Sequence, residues 1–317
     1  MSFNILGTGY YVPEFVVTNE DLTKLVDTSD EWITKRVGVK ERHISQNETT
    51  TDMAVKASCD ALAEAGIQPD DLDLIIAASV SPDTACPTVA SSVQREIGAQ
   101  CPAFDINSAC SGFLFALDVA SAYLQKEDIN KVLVVGSERL SRVTDWSERG
   151  TCVIFGDGAG AFVVGKGDGL LASKIFTKGG DEVLSIPNNV GSSPFYNGEV
   201  KAPFIKMDGQ ETFKFAVNRI VEDIKDVVQK AGLTLQDVDY VVPHQANIRI
   251  IEYASKRLGI PMEKFFVNIQ KYGNTSSASV PIAFSELYKS GKLKKGDIVV
   301  MSAFGGGLSS AACLIRI

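Results

Sequence analysis

The scarce reactive side chains of this 317-residue sequence are six cysteines and two histidines. Cys59, Cys86, Cys101, Cys110, Cys152 and Cys313 form no CxxC pair, and His43 and His244 do not cluster with them. A zinc site needs grouped Cys/His ligands, so no metal is expected. Widely spaced cysteines in a chain of this size are mostly small buried hydrophobes, with room for one or two that do chemistry. Cys110 is the strongest candidate. It sits in Phe104-Asp-Ile-Asn-Ser-Ala-Cys-Ser-Gly-Phe, where a strand ending near Ile106 gives way to a tight turn and a helix from about Ser111. The sulfur then lies at a helix N-terminus, whose unpaired N–H groups and positive dipole end favour thiolate over thiol. The same N–H groups can hold an oxyanion.

Two further residues fit such a nucleophile. His244 follows Val241-Val242-Pro243, so its imidazole emerges at a strand end just before a helix expected over 246–258. Asn274 lies in the turn Tyr272-Gly-Asn-Thr-Ser-Ser-Ala-Ser. Taken singly, each has a plainer explanation: a core cysteine, a locally satisfied histidine, a turn asparagine.

An internal repeat joins them. Residues 65–76 (AGIQPDDLDLII) and 231–242 (AGLTLQDVDYVV) match at a constant offset of 166, and the Asn107 turn maps onto the Asn274 turn at 167. His244 therefore corresponds to Ala78. Two halves of one fold, 1–166 and 167–317, are expected, with a period far beyond that of solenoids. Related by pseudo-symmetry, their equivalent turns would meet and bring Asn274 to Cys110. Within the halves, helices are expected at 50–65, 111–125 and 212–231. Apolar runs at 72–80, 131–136 and 297–301 read as strands buried on both faces. Alternating strands and helices imply α/β layers. The Gly/Pro/Asn-rich stretch 179–203 reads as a long, functional loop bridging the halves.

Glycine-rich segments divide into two kinds. Gly156-Asp-Gly-Ala-Gly-Ala resembles a dinucleotide fingerprint, but a strand pattern follows where that motif needs a helix, and Gly7-Thr-Gly has Val12 where the third glycine belongs. Ala303-Phe-Gly-Gly-Gly-Leu is different: three glycines let backbone N–H groups approach a ligand closely.

Composition narrows the class. With 45% hydrophobic and 22% charged residues the chain is an ordinary globular protein. Its net charge of −8 argues against nucleic acid as a partner. No apolar stretch is long enough for a membrane span, and the absence of a basic leader before an apolar run makes cytoplasmic the expected location.

The combination of DINSACSGF, VPHQANIRI, GNTSSASV and AFGGG, with DEWITKRVGVKERHI at 30–44 and ERGTCVIFGDGAGA at 148–161, resembles β-ketoacyl-acyl carrier protein synthase III. The likeness spans essentially the whole chain. It implies a thiolase-like α/β fold, a duplicated αβαβα five-layer sandwich, in a homodimer without cofactor. The implied reaction is decarboxylative Claisen condensation of an acyl-CoA primer with malonyl-acyl carrier protein, initiating type II fatty acid synthesis. The implied catalytic residues are Cys110, His244 and Asn274, with N–H groups of Cys110 and Gly306 as the oxyanion hole. Trp32, Arg36, Thr28, Arg149 and Asn247 would hold CoA, and Lys214, Arg249, Lys256 and Arg257 would receive the acidic carrier protein. On the helix at 246–258, Ile248, Ile251, Ala254 and Leu258 make the apolar face. Without the resemblance, the basic residues there read equally as a solvated helix face.

Cys86 and Phe304 are expected at the acyl pocket. Many members carry a phenylalanine at position 86, contributed across the dimer, so a thiol implies room for acyl groups beyond acetyl. Gly307-Leu-Ser-Ser also departs from the common ending with Thr-Trp. Chain-elongating synthases use Cys-His-His, which His43, preceding the cysteine, cannot supply. An acyltransferase of secondary metabolism with another starter or acceptor is the alternative. A non-catalytic partner subunit would have lost the nucleophile, and a papain-like hydrolase would place its cysteine near the mature N-terminus.

Overall fold

The computed structural model describes residues 2–187, 194–195 and 202–317. The first half runs β1 (Ser2–Tyr11), β2 (Val16–Thr18), α1 (Asn19–Leu22), α2 (Asp30–Arg36), β3 (Glu41–His43), α3 (Thr50–Ala65) and β4 (Leu74–Ala78). It continues with α4 (Val89–Ile97), β5 (Ala103–Ile106), α5 (Gly112–Tyr123), β6 (Lys131–Arg139), α6 (Arg149–Cys152) and β7 (Asp157–Gly167). The second half runs β8 (Leu170–Thr177), β9 (Leu184–Ser185), β10 (Lys206–Met207), α7 (Gly209–Lys230), β11 (Tyr240–Pro243) and α8 (Ile248–Leu258). Then come α9 (Ile269–Tyr272), α10 (Ser279–Lys289), β12 (Ile298–Gly305) and β13 (Ser309–Arg316).

The two large sheets have one topology. The first is ordered β1-β7-β6-β4-β5 and the second β8-β13-β12-β11, extended by a parallel bridge from Val241 to Phe265 where the first sheet has β5. Strand periodicity explains the layering, because alternate side chains face opposite sides. Ile75, Ala77, Leu133 and Val135 pack under α3 and α4. Leu74, Ile76, Val132 and Val134 instead join α5 and α10, together with Val242, Val299 and Met301 of the second sheet. Val241, Ile298 and Val300 face α7 and α8. The result is the expected five layers, αβαβα, with α5 and α10 in the middle.

Local signals set the helix ends. Thr49 caps α3 reciprocally with Asp52, and Gly66 ends it in the left-handed conformation (φ 64°). Asp208 caps α7, which starts three residues before the expected 212. Asn247 Oδ1 accepts from Arg249 N and delays α8 to Ile248. The buried face of α8 is Ile250, Ile251, Ala254 and Leu258. Ile248 is only half-buried and packs toward Ile33 and Val37, because the first turn of α8 lies against α2.

The expected bridging loop is corrected. The crossing between halves is the short link from β7 to β8, since β8 already belongs to the second sheet. The stretch 179–203 is instead an excursion inside the second half. Strand β9 within it pairs with β10 just past it, while 188–193 and 196–201 lie outside the described residues.

Candidate active site

Cys110 occupies the middle of a 3-10 turn, Ala109–Ser111, directly before α5. Its counterpart is the 3-10 turn Ser276–Ala278 before α10. The two turns share an unusual backbone: Ala109 has φ 48° and Ser276 has φ 49°, the two positive values among the described non-glycine residues. Such conformations cost roughly 1 kcal/mol or more each and persist where the surroundings enforce them.

Gly305, at the end of β12, is what lets the sulfur-bearing turn approach. A side chain there would begin 2.8 Å from Cys110 N and 2.9 Å from its Cβ. Gly306 follows, its Cα substituent position 3.5 Å from Ala109 Cβ and 3.3 Å from Leu184 O. The glycine run therefore does bring backbone against the Cys110 turn, and Leu184 brings the 179–203 excursion to the same place.

His244 is 1% exposed at the end of β11. Its N–H donates to Ser302 O at 2.7 Å, and its ring meets Phe304 edge-on with centroids 5.3 Å apart. Nδ1 has no hydrogen-bond partner among the described residues. Burial holds the imidazole down to about 3, which keeps the ring neutral near pH 7. Behind it, Gln245 is tied on all sides: it donates to Pro243 O and Phe266 O and accepts from Asn268 N and Ile269 N.

Asn274 is buried next to a parallel bridge with Phe155. Its backbone is clamped on both sides, N to Ile154 O at 2.9 Å and O from Gly156 N at 3.0 Å. Oδ1 accepts from Ser276 N at 2.9 Å, which fixes the amide and leaves Nδ2 as the donor.

At Cys110 the helix-terminus effect expected from the sequence meets an opposing one. Burial pushes the Cys110 thiol up to about 12, opposed by the Ser276 hydroxyl. A helix terminus supplies only about 0.3–2 kcal/mol toward the anion, and desolvation outweighs it.

The expected CoA contacts gather in one place. Trp32 lies under two guanidiniums, Arg149 at 5.0 Å and Arg36 at 5.8 Å from the ring centroid. Asn247 Nδ2 donates to Arg36 O, and Ile248 N to Val37 O, docking the start of α8 on the end of α2. Arg149 Nη1 donates to Asp27 O beside Thr28, whose buried Oγ1 is without a partner. Next to Arg149, a cavity of about 460 Å³ is lined by Glu148, Gly150, Thr151, Ile205, Met207 and Gly209. The wall from 205 to 209, which includes β10 and the start of α7, lies just past the expected loop and was not among the expected site residues.

The basic side chains are exposed as expected, though not all are free. Lys214 pairs with Glu211 at 2.6 Å, Arg249 lies over Phe213 and Arg257 over Tyr253. Cys86 is exposed on the loop between β4 and α4. Phe304 is buried, against His244. Among the described residues no group of three or more His, Cys, Asp or Glu is placed to hold a metal ion, and no helix is long and apolar enough to cross a membrane.

Known proteins resemble this chain over its length. The model of the family described as 3-Oxoacyl-[acyl-carrier-protein (ACP)] synthase III matches residues 104–179, and that of its C-terminal part matches 228–317. The chain belongs to this family. The β-ketoacyl-[acyl-carrier-protein] synthase III of Clostridium acetobutylicum is 49% identical, covering 99% of this chain and 98% of its own. That of Aquifex aeolicus is 48% identical over 100% of both. The crystal structure of 3-oxoacyl-[acyl-carrier-protein] synthase III from Aquifex aeolicus superposes with a TM-score of 0.93 at 47% identity, covering 99% of this chain and 100% of that one. The thiolase-type fold and the condensing acyltransferase class expected from the sequence are both borne out. The activity is that of fatty acid biosynthesis, acyl-CoA with malonyl-acyl carrier protein.

Proposed function

We propose that the condensation runs through an acyl-enzyme on Cys110. The thiol attacks the carbonyl of an acyl-CoA, the Cys110 S–C bond forms as the CoA S–C bond breaks, and the thiol proton leaves on CoA. N–H groups of Cys110 and Gly306 receive the developing oxyanion. Malonyl-acyl carrier protein then loses CO2. His244 and the Asn274 amide donate to its thioester oxygen while the enolate forms, and its carbon attacks the acyl-enzyme, expelling the Cys110 sulfur. A neutral imidazole suits this step, since it stabilises an enolate oxygen without readily protonating the carbon. No cofactor takes part.

The observation that carries this reading is the meeting of the Ala109–Ser111 and Ser276–Ala278 turns, with the Cys110 thiol beside the Ser276 hydroxyl. The halves 1–166 and 167–317 thus contribute the sulfur and the His/Asn pair respectively. The CoA adenine stacks on Trp32, and Arg36 and Arg149 take its phosphates, with Thr28 and Asn247 along the same channel. Arg249, Lys256, Arg257 and Lys214 form the docking face for the acidic carrier protein. The enzyme works as a cytoplasmic homodimer. In support of dimerisation, β5 is a half-buried edge strand that a second copy can extend. Cys86 of that copy, with Phe304, bounds the acyl pocket. Mass spectrometry of the intact protein after exposure to acyl-CoA tests the central step: an acyl adduct is expected on the wild type and none on Cys110→Ser.

A further inference from the structure

The side chain next to His244 uses every hydrogen-bonding site it has. Gln245 is 1% exposed. Its Nε2 donates to Pro243 O at 2.8 Å and to Phe266 O at 3.1 Å, and its Oε1 accepts from Asn268 N at 3.1 Å and Ile269 N at 3.2 Å. Two protons and two lone pairs are all engaged, so the amide has one orientation. Its backbone N donates to the buried Ser279 Oγ at 2.8 Å.

These bonds reach His244 and both ends of the segment that carries Asn274. On the histidine side, Pro243 O, His244 N and Gln245 N are successive backbone groups and all three are held, the middle one by Ser302 O at 2.7 Å. On the asparagine side, Asn268 and Ile269 begin α9, and Gly273 N donates back to Ile269 O at 2.9 Å just before Asn274. Ser279 opens α10 directly after the Ser276–Ala278 turn, where Ser276 N donates to Asn274 Oδ1. The middle of the segment is fastened to the first half. Glu138, buried on β6, has Ser276 Oγ and Ser277 Oγ at 3.1 and 2.7 Å from its Oε1, and it also bonds Ser79, Val80 and Ser81 of the loop after β4.

We propose that Gln245 is a positioning residue for the decarboxylation step: its amide sets the strand end bearing His244 and the segment bearing Asn274 at a fixed separation. The inference rests on the reading that these two side chains donate to the malonyl thioester oxygen. Two donors aimed at one oxygen must both lie about 2.7–3.1 Å from it, so a shift of one relative to the other leaves one out of reach. The first half holds Asn274 through Glu138 and through the Ile154 and Gly156 backbone clamp. Gln245 ties that held segment to the end of β11. Among the described residues its hydrogen-bond partners all belong to the second half and none to the Ala109–Ser111 turn, so acyl transfer to Cys110 does not depend on it.

The test compares two half-reactions per folded molecule, with the folded fraction taken from circular dichroism. One is release of CO2 from malonyl-acyl carrier protein; the other is acyl-enzyme formation from acetyl- or isobutyryl-CoA, whichever labels the wild type faster, read by mass spectrometry. Gln245→Leu removes all four side-chain bonds at similar volume. Its decarboxylation kcat falls about tenfold to a hundredfold, the scale of an ångström-sized misplacement, while acyl-enzyme formation stays within about twofold of wild type. Ser279→Ala takes away the acceptor of Gln245 N and shows the same split at about threefold to tenfold. Ser285→Ala removes a buried hydroxyl of the same helix, bonded instead to Gly9 O at 3.2 Å, and keeps the wild-type ratio of the two rates. A fall of both half-reactions in equal proportion, or one ratio shared by the two serine variants, would reduce Gln245 to a structural tie and overturn the proposal. Decarboxylation that survives His244→Ala would instead break the reading beneath it, so the two failures are separable. Should Gln245→Leu not fold, the serine pair decides alone.

Discussion

Ser277 donates its hydroxyl to Ala78 O at 3.0 Å, and these two residues are the repeat counterparts of Cys110 and His244. In one half, then, the turn residue touches the strand end of the other half through ordinary polar atoms. In the proposed site the mirrored relationship would set a sulfur toward an imidazole. Duplication explains how residues 134 positions apart in sequence would share the proposed site.

Cys110→Ser is expected to lower condensation by at least about 10³-fold while leaving the fold unchanged, because the hydroxyl is a far poorer nucleophile in the same buried turn. Circular dichroism and acyl labelling together check this. Retained labelling with a native spectrum would contradict the assignment.

His244→Ala and Asn274→Ala should separate the half-reactions. Loss of a donor to a developing negative oxygen costs about 10²–10³-fold in that step. Malonyl decarboxylation should fall by this amount and acyl transfer from CoA by much less. The reverse pattern would refute the roles.

The buried His244 predicts an acid limit to stability. Its pKa is about 3 in the fold against 6.5 when exposed, so the unfolded chain binds the extra proton between those values. The contribution is whole above pH 6.5 and is lost as pH falls from 6.5 toward 3. Urea midpoints of wild type should therefore drop between pH 7 and 5 more than those of His244→Gln. Parallel slopes would count against a neutral buried ring.

Trp32→Ala should raise KM for acyl-CoA about tenfold, consistent with ~1–3 kcal/mol for a base stacked on an aromatic ring. The rate with saturating acyl-CoA should change little. A lowered kcat with unchanged KM would remove Trp32 from the binding channel.

Replacing Cys86 by phenylalanine is expected to narrow the acyl pocket. Initial rates with acetyl-, isobutyryl- and hexanoyl-CoA should show the wild type accepting more than acetyl and the variant favouring acetyl. A strictly acetyl-specific wild type would end the argument from side-chain volume.

Much of this was legible in the residues themselves. The 166-residue offset foretold matching sheets, and the Gly66 stop and the Thr50–Ala65 helix follow from local propensity alone. Cys110, His244 and Asn274 stood out because each interrupts a periodic pattern with a reactive group. What escaped depended on distant contacts. At Cys110 a helix terminus can be read locally, whereas the opposing desolvation by the other half cannot. Glu138 left one faint sign, a carboxyl closing an apolar run from Val132 to Gly136 in a fully buried strand. Its five partners come from two loops far apart in the chain. The 179–203 stretch was misplaced because composition marks a loop without saying which strand precedes it.

A chain assembled from two like halves has two seats in which a reaction can be staged. Around Ser277 the second seat is filled by the Glu138 carboxyl and the hydroxyls of Ser81, Ser276 and Ser277. That plug fastens the two halves to each other on one side of their junction, so the partners of the proposed chamber on the other side are held in register.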